Sequence, residues 1–165
     1  MTGVRIELRA YDPEWPHRYE QEAARIRDAL GERVRLMEHI GSTAVPGLAA
    51  KPIIDIVAAV DDSSDEKSYL PALEDLGYRL RLREPDWYEH RVFLGPDDRV
   101  NLHIFTQGAP EIDRMIRFRD RLRANEHDRR RYEERKRELA GLLWTSVQHY
   151  ADAKSEVVES ILASS

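Results

Sequence analysis

The residues with the clearest chemical potential lie between positions 39 and 56, in the run His-Ile-Gly-Ser-Thr-Ala-Val-Pro-Gly-Leu-Ala-Ala-Lys-Pro-Ile-Ile-Asp-Ile. Gly41 and Ser42 follow an apolar segment, and such small residues at the end of a strand let backbone N–H groups approach an anion. Lys51 adds a cation nearby. Asp55 interrupts a second apolar segment, where a carboxylate costs free energy unless it is paired or binds metal. The run therefore predicts a phosphate-binding turn followed by a carboxylate site.

This run closely resembles the signature of the GrpB family, which has a nucleotidyltransferase-like fold. Further segments resemble the same family, so the resemblance covers nearly the whole chain: residues 11–16 (Tyr-Asp-Pro-Glu-Trp-Pro), 101–104 (Asn-Leu-His-Ile) and 117–123 (Arg-Phe-Arg-Asp-Arg-Leu-Arg). In nucleotidyltransferase folds a Gly-Ser turn after the first strand binds the nucleotide phosphates, and carboxylates on the following strand hold divalent metal. The resemblance thus implies that Gly41, Ser42 and Thr43 bind phosphate and that Asp55 holds Mg²⁺ or Mn²⁺.

The sequence departs from that pattern at position 57. Two carboxylates two positions apart on a strand share a face and can hold a metal pair, but this position carries Val57. Asn101 and His103 have the same spacing on another predicted strand, and the family's sheet would bring them beside Asp55. We therefore predict Asp55 and His103 as the catalytic and metal-binding residues, with Asn101 contacting the substrate and Ser42 or a substrate phosphate completing the metal site.

Several other polar side chains are candidates for the same cleft. Lys51 and Arg91 are predicted to contact phosphate, and Arg119 is predicted to reach the cleft from the family-like Phe-Arg-Asp segment. Glu89 is a further candidate metal ligand. His39, beside the glycine turn, fits the cleft and the protein core equally well.

Two other interpretations of the same residues compete with the metal site. Asp55 could be an ordinary buried anion that Lys51, Arg91 or backbone amides satisfy. Ser42, His103 and Asp55 also have the residue types of a nucleophile, a base and an orienting acid. The flanking sequence is not the Gly-x-Ser-x-Gly elbow of the α/β-hydrolases, so we do not favour this reading.

Apolar periodicity predicts the elements that position these side chains. Predicted helices cover about 13–30, 69–76, 110–124, 125–143 and 149–162, and predicted strands cover 34–40, 53–60, 78–82, 90–94 and 99–105. The last two strands form a hairpin across a turn at 95–98. This order predicts one α/β (α+β) domain over residues 1–165, in which helices cover a mixed sheet and a helical part from about 110 to 165 forms a packed appendage.

Composition limits the classes of function. The net charge of −5 argues against a general nucleic-acid-binding face, and the absence of cysteine excludes disulfides, thiolate metal sites and a cysteine nucleophile. No segment has the apolar core of a signal peptide or the roughly 20 apolar residues of a membrane span. We therefore expect a cytoplasmic protein without a membrane partner. The charged C-terminal helices could form a homodimer interface or face solvent.

Two functions follow from these residues. The first is a metal-dependent nucleotidyltransferase that binds a nucleotide or another phosphorylated small molecule, which Asp55, Lys51 and His103 favour. The second is a non-catalytic ligand-binding or regulatory module that retains the phosphate turn, which Val57 favours. GrpB-like domains also occur joined to dephospho-coenzyme A kinase, so the resemblance implies a ligand near coenzyme A metabolism. The chain lacks the Gly-x-x-x-x-Gly-Lys-Ser/Thr loop and is not itself such a kinase.

Overall fold

The structure is a computed structural model that describes residues 4–5, 7–140, 143–144 and 157–163. In chain order its elements are β1 (Val4–Arg5), α1 (Glu14–Leu30), β2 (Leu36–Ile40), β3 (Ile54–Val60), α2 (Leu70–Asp75), β4 (Arg79–Glu84), β5 (His90–Leu94), β6 (Val100–Thr106), α3 (Pro110–Ala124), α4 (Glu126–Ala140), β7 (Leu143–Trp144) and α5 (157–163). Short 3₁₀ turns at Ser42–Ala44, Glu66–Ser68 and Pro96–Asp98 lie between them.

Five strands form a mixed sheet in the spatial order β2-β3-β6-β5-β4. Strands β3 and β6 run parallel, and the other neighbours run antiparallel. Strands β5 and β6 form the hairpin expected from the turn-rich sequence at 95–98. The predicted α/β class with a mixed sheet is confirmed.

Helix α1 illustrates how local sequence sets the elements. The Asp12 carboxylate accepts a hydrogen bond from the backbone N–H of Glu14 at 2.9 Å, and Gly31 ends the helix with a φ of +58°. The helix buries side chains at helical spacing against the sheet: Trp15, Ala23, Ile26 and Leu30. The helix therefore forms where its sequence pattern predicts it.

The two faces of the sheet are covered by different helices. Ile54, Ile56 and Ala58 of β3 lie in a core with α1 and α2, whereas Val57 and Ala59 lie in a smaller core with Ile40, Phe105 and the α3 residue Ile112. Because successive side chains of a strand alternate between faces, Asp55 is on the side of Val57. We call this side the α3 face.

The C-terminal helices pack onto the segment between β2 and β3. Tyr132 of α4 lies in a third apolar cluster with Val45, Leu48, Leu122, Val157 and Ile161. Helix α4 ends at Ala140, and the prediction that it continues to about 143 is wrong, because Leu143–Trp144 pairs antiparallel with Val4–Arg5. Of the predicted helix at 149–162, the described residues 157–163 are helical and the others lie outside the described residues. No helix in the described ranges has the length and apolar character to cross a membrane.

Candidate functional site

The turn after β2 presses its backbone against Asp55. Gly41 has φ +77° and ψ −176°, a conformation open essentially only to glycine. A Cβ at this position would lie 2.7 Å from Asp55 Oδ2 and 3.1 Å from Asp55 Cβ. Glycine is therefore required both by the backbone conformation and by the approach of the carboxylate.

Thr43 holds this turn in place through its hydroxyl group. The hydroxyl donates to the backbone carbonyl of Ile53 at 3.3 Å and contacts His39 Nε2 at 2.9 Å. Burial lowers the pKa of His39 to about 4, and the ring stacks on Tyr19 with a centroid distance of 4.8 Å. His39 is thus a neutral core histidine whose Nε2–H donates to Thr43. The predicted phosphate-binding residue Thr43 is 1% exposed, and both of its hydrogen bonds serve the fold.

A buried lysine from α4 reaches the other residue of the turn. Lys136 is 2% exposed, and its ammonium donates to Ser42 Oγ at 2.7 Å and to the Ala49 carbonyl at 2.8 Å. It also lies 5.3 Å from the centre of the Tyr132 ring. Burial raises the pKa of Tyr132 to about 12, and a hydrogen bond with Ser42 opposes that shift. The Lys136 amine is therefore buried directly behind Ser42.

On the neighbouring strand, His103 contacts Asp55. His103 Nε2 lies 3.5 Å from Asp55 Oδ1, with the two side chains 20% and 30% exposed. The register pairs Asp55 with Asn101 and Val57 with His103, so both predicted β6 residues share the α3 face with Asp55. The sheet expected from the family resemblance brings Asn101 and His103 onto the same face as Asp55, and the register agrees with this expectation.

A second histidine, His90, continues the line of contacts away from Asp55. His90 Nε2 lies 3.1 Å from His103 Nδ1, and His90 Nδ1 lies 2.7 Å from Glu84 Oε1. Burial lowers the pKa of His90, while the hydrogen bond to Glu84 raises it. The four side chains form a continuous line from the partly exposed Glu84 to Asp55.

Asn101 contributes a buried atom that lacks a partner. Its Oδ1 has no hydrogen-bond donor within the described part of the chain, although most buried side-chain oxygens have one. Because Asn101 is the register partner of Asp55, its side chain is on the same face of the sheet as the carboxylate.

The other predicted cleft residues occupy different positions. Arg91 is the register partner of Ile104, which places it on the opposite face, where it contacts Glu66 at 2.7 Å and Glu89 at 3.2 Å. The interpretation that Arg91 satisfies Asp55 is therefore wrong, and Glu89 lies with Arg91 rather than with His103. Lys51 is partly buried in the segment before β3.

Arg119 approaches the α3 face from α3. It donates to Glu38 Oε1 and to the His39 carbonyl, each at 3.0 Å, and it is 8% exposed. Asp120 contacts the same guanidinium at 2.8 Å. Arg119 thus supports the edge strand β2 and the start of the turn, with its charge already opposed by two carboxylates.

Comparison with known proteins identifies the family. The family model described as "GrpB protein" matches residues 5–164. The chain belongs to the GrpB family. It is 59% identical over 157 residues to a UPF0157 protein of Halalkalibacterium halodurans, covering 95% of this chain and 80% of that relative. A crystal structure of conserved protein GrpB from Enterococcus faecalis has a TM-score of 0.78 and 31% identity, covering 93% of this chain and 98% of the other.

A more distant similarity concerns a kinase. The dephospho-CoA kinase of Mycolicibacterium paratuberculosis is 30% identical over 147 residues, which covers 73% of this chain and 36% of the kinase. The GrpB-like part is thus about a third of that protein's length.

In this GrpB family member, sequence motifs do not identify Lys136, which contacts Ser42, or His90, which contacts His103. Lys136 stands on a highly charged helix, but its spacing from Tyr132 and Leu139 places it on the helix's apolar stripe, and that is the signal for a buried lysine. His90 carries no local signal, because its approach to His103 depends on the register of the hairpin. Among the described residues, no group of three or more His, Cys, Asp or Glu side chains could hold a metal ion.

Proposed function

We propose that this GrpB protein binds a nucleotide or another phosphorylated small molecule over the Gly41–Ser42 turn, and that it transfers a nucleotidyl group from it. One observation carries the proposal: Ser42, Asp55, His103 and Lys136 come from separate segments and meet on one face of the sheet. This combination of a small-residue turn, a buried cation and a carboxylate–imidazole pair matches what phosphoryl-group chemistry requires.

The turn and α4 support phosphate binding. Gly41 is exposed and Ser42 is partly exposed, so an anion can reach the backbone and the hydroxyl. The Lys136 ammonium donates to Ser42 Oγ and so fixes the position of this hydroxyl beside the turn. A phosphate oxygen at the turn would lie close to the backbone N–H groups and to the buried Lys136 ammonium.

A divalent ion beside the turn would take only a small part of its coordination from the protein. Asp55 and Asn101 offer oxygen atoms, which suit Mg²⁺ and Mn²⁺, and His103 offers an imidazole nitrogen. The orphaned Asn101 Oδ1 is the structural feature that favours such an occupant. When bound there, the ion would neutralise charge on the transferring phosphate. With so few protein ligands, we expect the ligand's own phosphates to complete the coordination.

The rival function is a binding or regulatory module without catalysis. Val57 is fully buried among apolar residues, so β3 offers no second carboxylate beside Asp55. On β2, the register neighbour of Val57 is Glu38, whose carboxylate already accepts a hydrogen bond from Arg119. The similarity to the dephospho-CoA kinase adds a ligand class, namely coenzyme A precursors. In this second function the turn still binds phosphate, but the protein does not catalyse group transfer.

A ligand panel separates the two functions. Thermal unfolding would be followed with ATP, GTP, CTP, UTP and coenzyme A precursors, each with and without Mg²⁺ or Mn²⁺, in the unmodified protein and in Asp55→Asn. A ligand at 100 times its dissociation constant adds about 2.7 kcal/mol to the free energy of unfolding, which corresponds to several degrees in Tm. Metal-dependent stabilisation that Asp55→Asn removes supports the transferase. Stabilisation that ignores metal and Asp55 supports the module, and no response to any ligand contradicts phosphate binding.

A further inference from the structure

We infer that Trp87 and Tyr88 form a stacking platform for the base of a nucleotide whose phosphates lie at the Gly41–Ser42 turn. The inference rests on the proposed function in one respect, namely that the turn binds phosphate. It deepens that function, because it selects ligands that carry a planar heterocycle over phosphorylated small molecules that lack one.

Two neighbouring aromatic side chains of the loop between β4 and β5 are exposed to solvent. Trp87 is 39% exposed and Tyr88 is 46% exposed, and their ring centroids lie 5.5 Å apart. Among the described residues, Leu82 is the one other large apolar side chain with comparable exposure. Aromatic rings stabilise a fold most when they are buried, and a contiguous exposed apolar surface commonly marks a binding site. The pair is therefore a candidate contact for a ligand.

The exposed rings belong to the same side of the sheet as the candidate site. Trp87 packs edge-on against Phe105 at a centroid distance of 5.8 Å, and Phe105 lies in the apolar cluster of the α3 face. Trp87 also contacts the His90 ring at 5.0 Å, and the His90 ring stacks on that of His103 at 5.3 Å. The platform is thus two ring-to-ring contacts away from His103, which itself contacts Asp55 beside the turn.

The charges around the platform set the direction in which a nucleotide would lie. Glu84, Asp86 and Glu89 flank the two rings in the sequence, and the Glu84 and Glu89 side chains are 40% and 41% exposed. These carboxylates repel phosphate, whereas the Gly41–Ser42 turn offers backbone and hydroxyl groups to it. A sugar separates the base of a nucleotide from its phosphates. The base would therefore lie on the rings while the phosphates lie at the turn.

The loop is held in the conformation that exposes the rings. Tyr88 and Glu89 have φ of +56° and +52°, in the left-handed region that favours glycine and asparagine. The fully buried Ser63 donates to the Glu89 carbonyl at 2.7 Å, and the His90 N–H donates to the Trp87 carbonyl at 3.1 Å. Such unfavourable conformations persist where the surrounding structure imposes them, often at ligand sites. The platform is preformed, so binding a base does not require ordering of the loop.

Isothermal titration calorimetry with matched ligands tests the platform. ATP, GTP, CTP and UTP are compared with inorganic tripolyphosphate, and dephospho-coenzyme A is compared with phosphopantetheine, which has no base. Trp87→Leu removes the ring but keeps an apolar side chain against His90. We expect this variant to bind the base-bearing ligands about 5- to 150-fold more weakly, the range typical of base–aromatic stacking, and to bind tripolyphosphate unchanged. Trp87→Phe, which keeps a ring, should retain most of the affinity.

Tyr88→Asn separates ligand binding from stability. Asparagine adopts φ of +56° more readily than tyrosine, so Tm should be unchanged or higher. The affinity for base-bearing ligands should nevertheless fall, because one ring of the platform is lost. Asp97→Asn is the matched control, since Asp97 is exposed and has φ of +63° at the opposite end of β5. This control should change neither the affinity for nucleotides nor that for tripolyphosphate.

The outcomes distinguish the platform from the phosphate turn. Equal affinities for ligands with and without a base, or equal losses for both kinds in Trp87→Leu, would overturn the platform and leave phosphate binding intact. Base-dependent affinity that Trp87→Leu removes, without any binding of tripolyphosphate, would support the platform and contradict the phosphate turn. Binding of none of these ligands would overturn both. A changed oligomeric state in Trp87→Leu with unchanged nucleotide affinity would assign the rings to an interface between copies of this chain and overturn the inference.

Discussion

At the residue scale, Gly41 and Asp55 constrain each other. We expect Gly41→Ala to cost about 1–3 kcal/mol through its backbone conformation, with a further cost because its Cβ would displace the carboxylate. Ligand-induced stabilisation should be lost as well. Gly108→Ala is the matched control, since Gly108 also has a positive φ of +89° but no atom within 4 Å of an added Cβ. Equal melting temperatures and equal ligand responses for the two variants would contradict the proposed contact.

Lys136 has a different role, because it joins α4 to the turn. Lys136→Met keeps a flexible apolar stem of similar length but leaves Ser42 Oγ and the Ala49 carbonyl without this donor. A buried acceptor without its partner costs about 1–3 kcal/mol, so chemical denaturation should show a loss of this size. Phosphate-bearing ligands should also bind more weakly. Lys67→Met, at an exposed position, should change neither quantity. Unchanged ligand affinity in Lys136→Met would show that this charge does not serve the ligand.

His39 makes stability depend on pH. Its pKa is about 4 in the folded protein, below the ordinary value of 6.5, so the unfolded chain binds this proton first as pH falls. The folded protein should therefore lose up to about 3 kcal/mol between pH 6.5 and 4 through this group, and regain it as pH rises. Urea unfolding at several pH values measures the loss. His39→Gln should flatten this part of the profile, whereas the exposed His17→Gln should leave it intact.

At the element scale, the 3₁₀ turn Glu66–Ser68 holds the edge strand β4 and its neighbour β5 through ion pairs. Glu66 accepts from Arg83 at 2.6 Å and from the buried Arg91 at 2.7 Å, and these contacts lower its pKa from 4.5 to about 2. We expect Glu66→Gln to cost about 2 kcal/mol near neutral pH, because Arg91 would lose its main partner while keeping Glu89. The contribution of Glu66 to the free energy of unfolding is present above pH 4.5 and is lost as pH falls towards 2. The free energies of unfolding of Glu66→Gln and the unmodified protein should therefore converge in acid. A difference in the free energy of unfolding that stays constant over this pH range would argue against a stabilising ion pair at Glu66.

How far sequence predicts these elements depends on whether their signals are local. The strand at 90–94 and the helix at 110–124 match the structure, because periodicity along the chain is enough to define them. The end of α4 does not match, since the strand at 143–144 exists through its pairing with residues far away at the N-terminus. Local patterns contain no information on such a partner.

The same distinction applies to the predicted site. Asp55 and His103 could be placed together because the resemblance to the GrpB family implies a sheet in which their strands are neighbours, as β3 and β6 are. Arg91 could not be assigned to a face, because a shift of one residue in register moves a side chain to the other side of the sheet. Its pairing with Ile104 is a property of the folded hairpin. Lys136 could not be placed at the site from the sequence, because its position there depends on the long-range contact between α4 and the segment between β2 and β3.

At the scale of the whole molecule, the C-terminal helices are part of the site rather than a separate layer. Glu133 Oε1 accepts from the backbone N–H of Ala49 at 2.7 Å, and Lys136 bonds Ser42 on the same segment. Arg123 of α3 donates to the Ala44 carbonyl at 2.9 Å. The segment that would contact phosphate is thus held between the sheet and three helical side chains that are 79 to 94 positions away from their partners in the sequence. Binding at the turn and the stability of α4 should therefore be coupled.

Hydrogen exchange measured by mass spectrometry tests this coupling. Opening α4 breaks the Lys136–Ser42 contact, and if that contact is required for binding, the ligand must be lost before the helix can open. With a nucleotide at 100 times its dissociation constant, exchange of amides in α4 should slow by about 100-fold, whereas exposed turns far from the site should not change. In Lys136→Met, saturated with the same ligand, the protection should remain near residues 41–55 and decrease in α4. Protection confined to the turn in the unmodified protein would mean that ligand binding and α4 are independent, since the helix could then open around an occupied site.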